Sequence, residues 1–413
     1  MIEGVPSGMS ENKAYQRHLK RVVVGAVHRW SVVVPPEFES LCRRELETLG
    51  LAAAGSGEGI VEFSGKLRDC YAANLHLRTA SRVFCSLDPF RAGIAEELRH
   101  KASAVPWELW LNPRIPVRLE VHVRHSRIEH EGLVGEMVLS GLRKRFRERG
   151  FPVPDEWRPP PVPAEVSPED ARDSWRQRIY VHLRNNHCVI SLDTSGHHLH
   201  KRGYRLRHGG APLRETIAAA VLYRVGWNGS LPLVDGMCGA GTLAIEAALM
   251  ARNLPPGLTR PFLFQHWPSY GKATWEYLCR KAREGSLERK PGPLVALDRD
   301  PDVIETAREN ASRAGVADDV LWECRDFFSF RPGERGLRPG LLLLNPPYGR
   351  RLRDGGESLY RELGAHLREH FRGWQAAVLA PSLPVAGRMK IHPMRFWKIE
   401  HGGLPVVVGM ARI

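Results

Sequence analysis

The stretch Leu344-Asn345-Pro346-Pro347-Tyr348-Gly349 carries the most specific chemistry in the chain. An exocyclic amine on a base is a poor nucleophile because its lone pair is delocalised into the ring. It becomes reactive when acceptors take its N–H groups and let the nitrogen pyramidalise. The Asn345 side-chain oxygen and the Pro346 carbonyl can be those acceptors, and the Pro346-Pro347 pair fixes the turn so that both point one way. Tyr348 offers a face for stacking the target ring. Three other pieces precede it. Asp235-Gly236-Met237-Cys238-Gly239-Ala240-Gly241-Thr242 is a glycine-rich turn that lets backbone approach a ligand without Cβ atoms in the way. Asp298 can accept both hydroxyls of a bound ribose. Asp326 is placed to meet the amino group of an adenine. Taken singly these pieces also read as a tight turn, a helix cap and an Asn-Pro turn. Their order along the chain favours a nucleoside pocket with an amine-activating edge.

Each piece follows a predicted strand: Leu231–Asp235, Leu294–Asp298, Val320–Cys324 and Leu341–Leu344. The last is wholly apolar, as befits a strand covered on both faces. Helices are expected at Leu243–Arg252, Asp302–Ala314 and Ser358–Phe371. Asp300 is the better cap of the second, because Pro301 then takes the first helical position. Strand Ala376–Ala380 and the pair Arg395–Glu400 and Pro405–Met410 complete the sheet. This alternation predicts an α/β, Rossmann-like, mostly parallel sheet over residues 214–413, with ligands at the carboxyl ends of its strands.

The front half reads as α+β. Residues 1–28 look like a basic extension, and 29–80 a small unit with strands Trp30–Val34 and Ile60–Phe63. Residues 81–195 hold strand Val117–Val123, a helix Glu131–Phe146 ending in Arg143-Lys144-Arg145, a proline-rich loop, and a hairpin turning at Asn185-Asn186. No internal repeat stands out. Residues 196–213 form a basic linker without a single acid, carrying Lys201, Arg202, Tyr204 and Arg205. These residues and Arg143, Lys144 and Arg145 are the candidate RNA contacts.

The chain has 413 residues, and 60 Lys and Arg against 46 Asp and Glu give a net charge of +14. Such a field draws polyanions, nucleic acid first among them and anionic membrane the main rival. No apolar run approaches a bilayer's span, and the start lacks a secretory pattern, so no membrane is expected as partner. The 7 cysteines are scattered without a C-x-x-C pair. That suits reduced thiols in cytoplasm and no metal.

Residues 214–413 resemble class I S-adenosylmethionine-dependent methyltransferases that modify exocyclic amines. From about residue 29 the chain resembles the bacterial large-subunit ribosomal RNA (guanine-N2) methyltransferase family of the RlmL type. The matching residues are His200–Arg205, Ala211–Thr216, Met237–Thr242 with Glu246, and Asn345–Gly349. The resemblance implies a ferredoxin-like unit at 29–80 and a THUMP-like RNA-binding domain at 81–195. It implies S-adenosyl-L-methionine as cofactor, held by Asp235, Met237, Cys238, Gly239, Gly241, Thr242, Glu246, Asp298, Asp326, Pro212 and Thr216. Asn345, Pro346, Pro347 and Tyr348 would form the catalytic edge, facing N2 of a guanine in 23S ribosomal RNA. The family usually has Pro where Gly236 stands and Ser where Ala240 stands. Some members carry a second methyltransferase domain downstream; with its last residue at Ile413, this sequence is expected to hold one. A transfer-RNA guanine-N2 methyltransferase, a protein-glutamine or adenine-N6 enzyme sharing Asn-Pro-Pro-Tyr, and a non-catalytic RNA-binding assembly factor are the rival readings.

Overall fold

The computed structural model describes residues 12–153, 176–205, 213–286, 292–347, 356–401 and 404–413. Two sheets organise the chain. The first takes β1 (His28–Val33), β2 (Ala53–Gly57), β3 (Ile60–Gly65), β4 (Arg82–Ser86), β5 (Phe90–Arg91), β6 (Val117–Arg124), β7 (Gln177–Arg184) and β8 (His187–Asp193). Their order is β2-β3-β1-β4-β8-β7-β6, with β5 also on β8. One sheet thus runs through both front units. The divide expected at residue 80 falls just before β4, which pairs with β1 on one side and β8 on the other.

The second sheet takes β9 (Leu233–Asp235), β10 (Leu294–Asp298), β11 (Val320–Cys324), β12 (Leu341–Leu344), β13 (Gln375–Ala380), β14 (Met394–His401) and β15 (Leu404–Arg412). Its order is β11-β10-β9-β12-β13-β15-β14. The first five strands run parallel, while β15 is antiparallel to both its neighbours. This is the Rossmann-like class I methyltransferase fold, its sheet mixed at one edge. All four leucines of β12 are buried, as a strand between two helix layers requires. Asp300 caps helix Pro301–Ala314 as expected, its Oδ1 accepting from the Asp302 N–H at 3.0 Å.

The start of the chain is more than an extension. Asn12 caps helix Lys13–Leu19, which continues as a π-turn through Val24. Leu19 and Val23 are buried, and the Tyr15 hydroxyl donates to the Glu108 carbonyl at 2.8 Å. Helix Lys272–Glu284 is an element not expected from the sequence, and its Trp275, Cys279 and Ala282 face inward. The 7 cysteines are unpaired, and all but Cys324 are buried. Among the described residues no helix is long and apolar enough to cross a membrane.

The two sheets' units share a dense junction. Glu45 accepts from the Arg78 and Thr79 N–H groups (2.7 and 3.1 Å) and from the Tyr223 hydroxyl at 3.3 Å. Arg78 Nη2 donates to the Leu254 carbonyl at 2.6 Å. Phe38 packs on Trp397 with ring centroids 5.2 Å apart, and the Arg224 guanidinium lies 4.5 Å over the same indole. At Gly257 a Cβ would lie 2.8–2.9 Å from backbone atoms of Asn74 and Leu75, which cannot step aside. Gly257→Ala is therefore expected to lower unfolding free energy by ~1–3 kcal/mol, read as a lower urea midpoint at unchanged slope.

Candidate functional site

The carboxyl ends of β11, β10, β9 and β12 lie side by side, and the predicted motifs sit on them. The glycine-rich turn after β9 is stitched to both flanking strands. Gly236 N–H donates to the Leu343 carbonyl (3.0 Å) and Cys238 N–H to the Leu297 carbonyl (2.8 Å). Gly239 and Gly241 have φ of +53° and +83°, a backbone region that favours glycine. At Gly239 a Cβ would meet nothing within 4 Å, so this part of the turn faces open space. At Gly241 a Cβ would press on the Trp322 ring at 2.9 Å.

Asp298 ties the turn to β10. Its Oδ2 accepts from Gly239 N–H and its Oδ1 from Asp300 N–H, both at 3.1 Å. Asp326 is exposed at the end of β11, with Oδ1 accepting from Phe328 N–H at 2.8 Å. Asp235 is fully buried, and among the described residues neither of its oxygens makes a well-formed hydrogen bond. Burial, and then the charge of Asp298, push its carboxyl up to about 8, against the pull of the Ala244 and Met237 amides. Cys238 is buried beside it, and burial followed by the Asp235 and Asp298 charges raises its thiol well above the usual range. That environment disfavours a thiolate nucleophile.

Asn345 follows β12. Its side-chain oxygen is buried and, among the described residues, unpartnered. A buried acceptor left unpaired costs folding free energy. Pro346 is buried and Pro347 exposed. Tyr348 and Pro212 lie outside the described residues. Met237 is half-buried, and Thr242 and Thr216 are buried.

Several expected contacts are reassigned. Glu246 is fully buried behind the turn, and its Oε1 faces Arg202 Nε at 3.5 Å and the Tyr204 hydroxyl at 3.3 Å rather than the ligand edge. Arg202 and Tyr204, expected on RNA, are buried. Arg202 spends its remaining donors on the Leu199 and Arg78 carbonyls, at 2.6 and 2.5 Å. Arg205 pairs with buried Glu215 at 3.3 Å and donates to the Thr242 hydroxyl. A guanidinium enclosed in this way cannot reach a phosphate. Arg145 is likewise taken by Glu108, through bonds of 2.9 and 2.7 Å. Lys144 pairs with Glu148 at 3.8 Å; Lys201 and Arg143 are half-buried.

Two supports carry no local signal in the sequence. Buried Arg260 donates to the His198, His197, Lys201 and Ser195 carbonyls at 2.6–3.2 Å and so clamps the supposed linker. Burial, then Arg202, lower its guanidinium to about 9. Phe327 fills the space beside Gly236, where a Cβ would lie 2.5 Å from its ring and 2.7 Å from Leu344. Glycine in place of the family's proline thus fits its own surroundings.

Comparison with known proteins agrees with this geometry. Residues 202–405 match the RMKL-like methyltransferase domain, and residues 31–84 match the RlmL ferredoxin-like domain. A Synechocystis protein named "Putative RNA methyltransferase" is 30% identical over 375 residues, 89% of this chain and 92% of the relative. The chain belongs to the RMKL-like methyltransferase family. A "Ribosomal RNA large subunit methyltransferase K/L" from Syntrophotalea carbinolica is 35% identical over 91% of this chain and 52% of its own. The chain thus spans about half the length of such relatives. The solved structure of a "putative methyltransferase complexed with SAH" superposes with a TM-score of 0.77 at 26% identity, covering 94% of this chain and 98% of that one.

Within the RMKL-like domain, Asp235 gives a pH test. Its folded carboxyl titrates near 8, far above an unfolded Asp near 3.9. The native state therefore holds the extra proton between those values, and that stabilisation is lost as pH rises through them. Its contribution should fall by about 1.4 kcal/mol per pH unit across the window. Urea unfolding of the ligand-free protein should show this slope, and Asp235→Asn should remove it.

Proposed function

We propose that this chain transfers the methyl group of S-adenosylmethionine to N2 of a guanine in large-subunit ribosomal RNA. The observation that carries the reading is the buried Asn345 oxygen, without a partner among the described residues, beside the glycine-rich turn. The names of the RMKL-like relatives support RNA as substrate, and the SAH-bound neighbour supports the cofactor. The donor set suits that cofactor. Asp298 and Asp326 offer acceptors to a ribose and an adenine. The open backbone at Gly239 admits the cofactor close by, and the Asp235 carboxyl can become a counter-charge to a cation. When bound, S-adenosylmethionine supplies an electrophilic methyl group.

Asn345 Oδ1 and the Pro346 carbonyl would accept the two amine N–H groups, freeing the nitrogen lone pair to face the methyl carbon. Alignment of the reacting atoms supplies much of the rate. A paired guanine must first leave its stack, at a cost of a few kcal/mol, and Tyr348 is the candidate to stack it.

The Asn345 contact strengthens as the nitrogen pyramidalises, so it belongs to the transition state. Asn345→Ala should lower the single-turnover rate at saturating cofactor by ~10²–10³-fold, with cofactor affinity and melting temperature nearly unchanged. Asn345→Asp keeps an acceptor and should retain part of the activity. Asp298→Ala should do the reverse, weakening cofactor binding at least about tenfold. Joint loss of stability and cofactor binding in the Asn345 variants, without selective loss of turnover, would return Asn345 to a purely structural turn.

A further inference from the structure

Two neighbouring strands at one edge of the front sheet repeat one pattern. β6 reads Val-Arg-Leu-Glu-Val-His-Val-Arg and β7 reads Gln-Arg-Ile-Tyr-Val-His-Leu-Arg. They pair in parallel and in register, so Arg118 faces Arg178, His122 faces His182 and Arg124 faces Arg184. The registry continues: Arg184 faces His187 on β8, and His187 faces Arg91 on β5. Directly paired residues share a face of a sheet. Arg124, Arg184, His187 and Arg91 therefore form one row across four strands, ~14 Å long at ~4.8 Å per strand. All four are exposed.

Like charges placed opposite one another destabilise a sheet, and at one end of this face the chain relieves them. Glu120 lies between Arg118 and Arg178, at 3.8 and 3.7 Å. At the other end the acid at hand, Glu131, lies 3.9 Å from His122 Nδ1 and accepts from the Val123 N–H rather than pairing with an arginine of the row. Among the described residues no ion pair within 4 Å engages Arg91, Arg124 or Arg184; Glu97, which feels the Arg91 charge, pairs with Lys101 at 2.7 Å and accepts from Gly93 N–H at 2.9 Å. Two residues inward, His122 and His182 lie with ring centroids 5.2 Å apart. Beyond them is Tyr180, half-buried against Phe84.

We infer that the row Arg124, Arg184, His187 and Arg91 is a binding track for the phosphodiester backbone of single-stranded RNA crossing the sheet at right angles to its strands. The charge is complementary, the row has the reach of a few nucleotides, and the imidazoles beside it give bases a surface to stack on. Partial burial, then His122 and Arg124, hold the His182 imidazole toward its neutral form, which suits stacking better than it suits pairing with an anion. The inference rests on an RNA substrate as proposed above, but it concerns residues far along the chain from the methyl-transfer edge.

The test uses the full chain and a labelled mixed-sequence single-stranded RNA of about 20 nucleotides, with affinity followed by fluorescence anisotropy across a salt series. The variant Arg91→Ala/Arg124→Ala/Arg184→Ala should bind at least about tenfold more weakly and flatten the plot of log K against log salt by about 2, near 0.7 for each lost phosphate contact. The three Arg→Lys replacements should keep the slope. Arg280→Ala/Lys281→Ala/Arg283→Ala, on the exposed face of helix Lys272–Glu284, removes the same charge elsewhere and should behave as the parent. The melting temperature of the track variant should hold or rise, because repulsion is relieved. An unchanged slope in the track variant, an equal loss in the helix variant, or selective binding of the parent to phosphatidylglycerol vesicles and not to RNA would overturn the assignment. Calorimetry with S-adenosylmethionine on the same proteins separates the two readings. A parent that binds RNA through the track but not the cofactor would defeat the methyl-transfer reading alone, and one that binds the cofactor while the track variant keeps full RNA affinity would defeat the track alone.

Discussion

The contact of Arg202 with Glu246, both buried, is the constraint on which the rest of the molecule depends. Glu246 belongs to helix Thr242–Ala251, which begins just after the last glycine of the glycine-rich turn. Arg202 also donates to the Arg78 carbonyl, and Arg78 in turn reaches the Leu254 carbonyl and presents its N–H to Glu45. One guanidinium thus links the helix behind the turn to the front sheet's unit. An enclosed ion pair adds little net stability, because desolvation offsets the attraction, but losing one partner leaves a charge stranded. Such a pair resists sliding and fixes one arrangement of the junction.

The same logic extends to the site. Arg205 joins Glu215 to the Thr242 hydroxyl at the first residue of that helix. Arg313 donates to the Tyr204 carbonyl at 2.8 Å and to Asn310, whose amide donates to the Ala240 carbonyl at 3.1 Å. The basic segment therefore frames the glycine-rich turn from behind, and the strands on either side hold it from the front. Beside this frame, at the carboxyl ends of β9 and β12, lie the buried Asp235 carboxyl and the Asn345 oxygen, which are among the buried polar groups left without a well-formed hydrogen bond among the described residues.

Much of this was legible in the sequence because it is local. The apolar run of β12, the Asp300-Pro301 helix start and the Asn185-Asn186 hairpin each follow from neighbours along the chain, and the order of motifs placed four of them on adjacent strand ends. Strand β2, Ala-Ala-Gly-Ser-Gly, has no β-branched or aromatic residue to announce it. The interior role of Arg202, Tyr204 and Arg205 was hidden because a charge run reads as solvated until its partners are known, and Glu246 and Glu215 are assigned only by tertiary packing. The row from Arg124 to Arg91 is invisible for the same reason. Alternation along β6 and β7 gives a face, and only cross-strand register turns three separate arginines and a histidine into a line.

The most direct measurement is a double-mutant cycle on the junction, with unfolding followed in urea for Arg202→Met, Glu246→Leu and the two together. If the pair is a buried mutual constraint, each single change should cost ~3–5 kcal/mol, while the double change should cost far less than their sum, since an apolar pair strands no charge. Additive costs, or single variants as stable as the parent, would contradict the account.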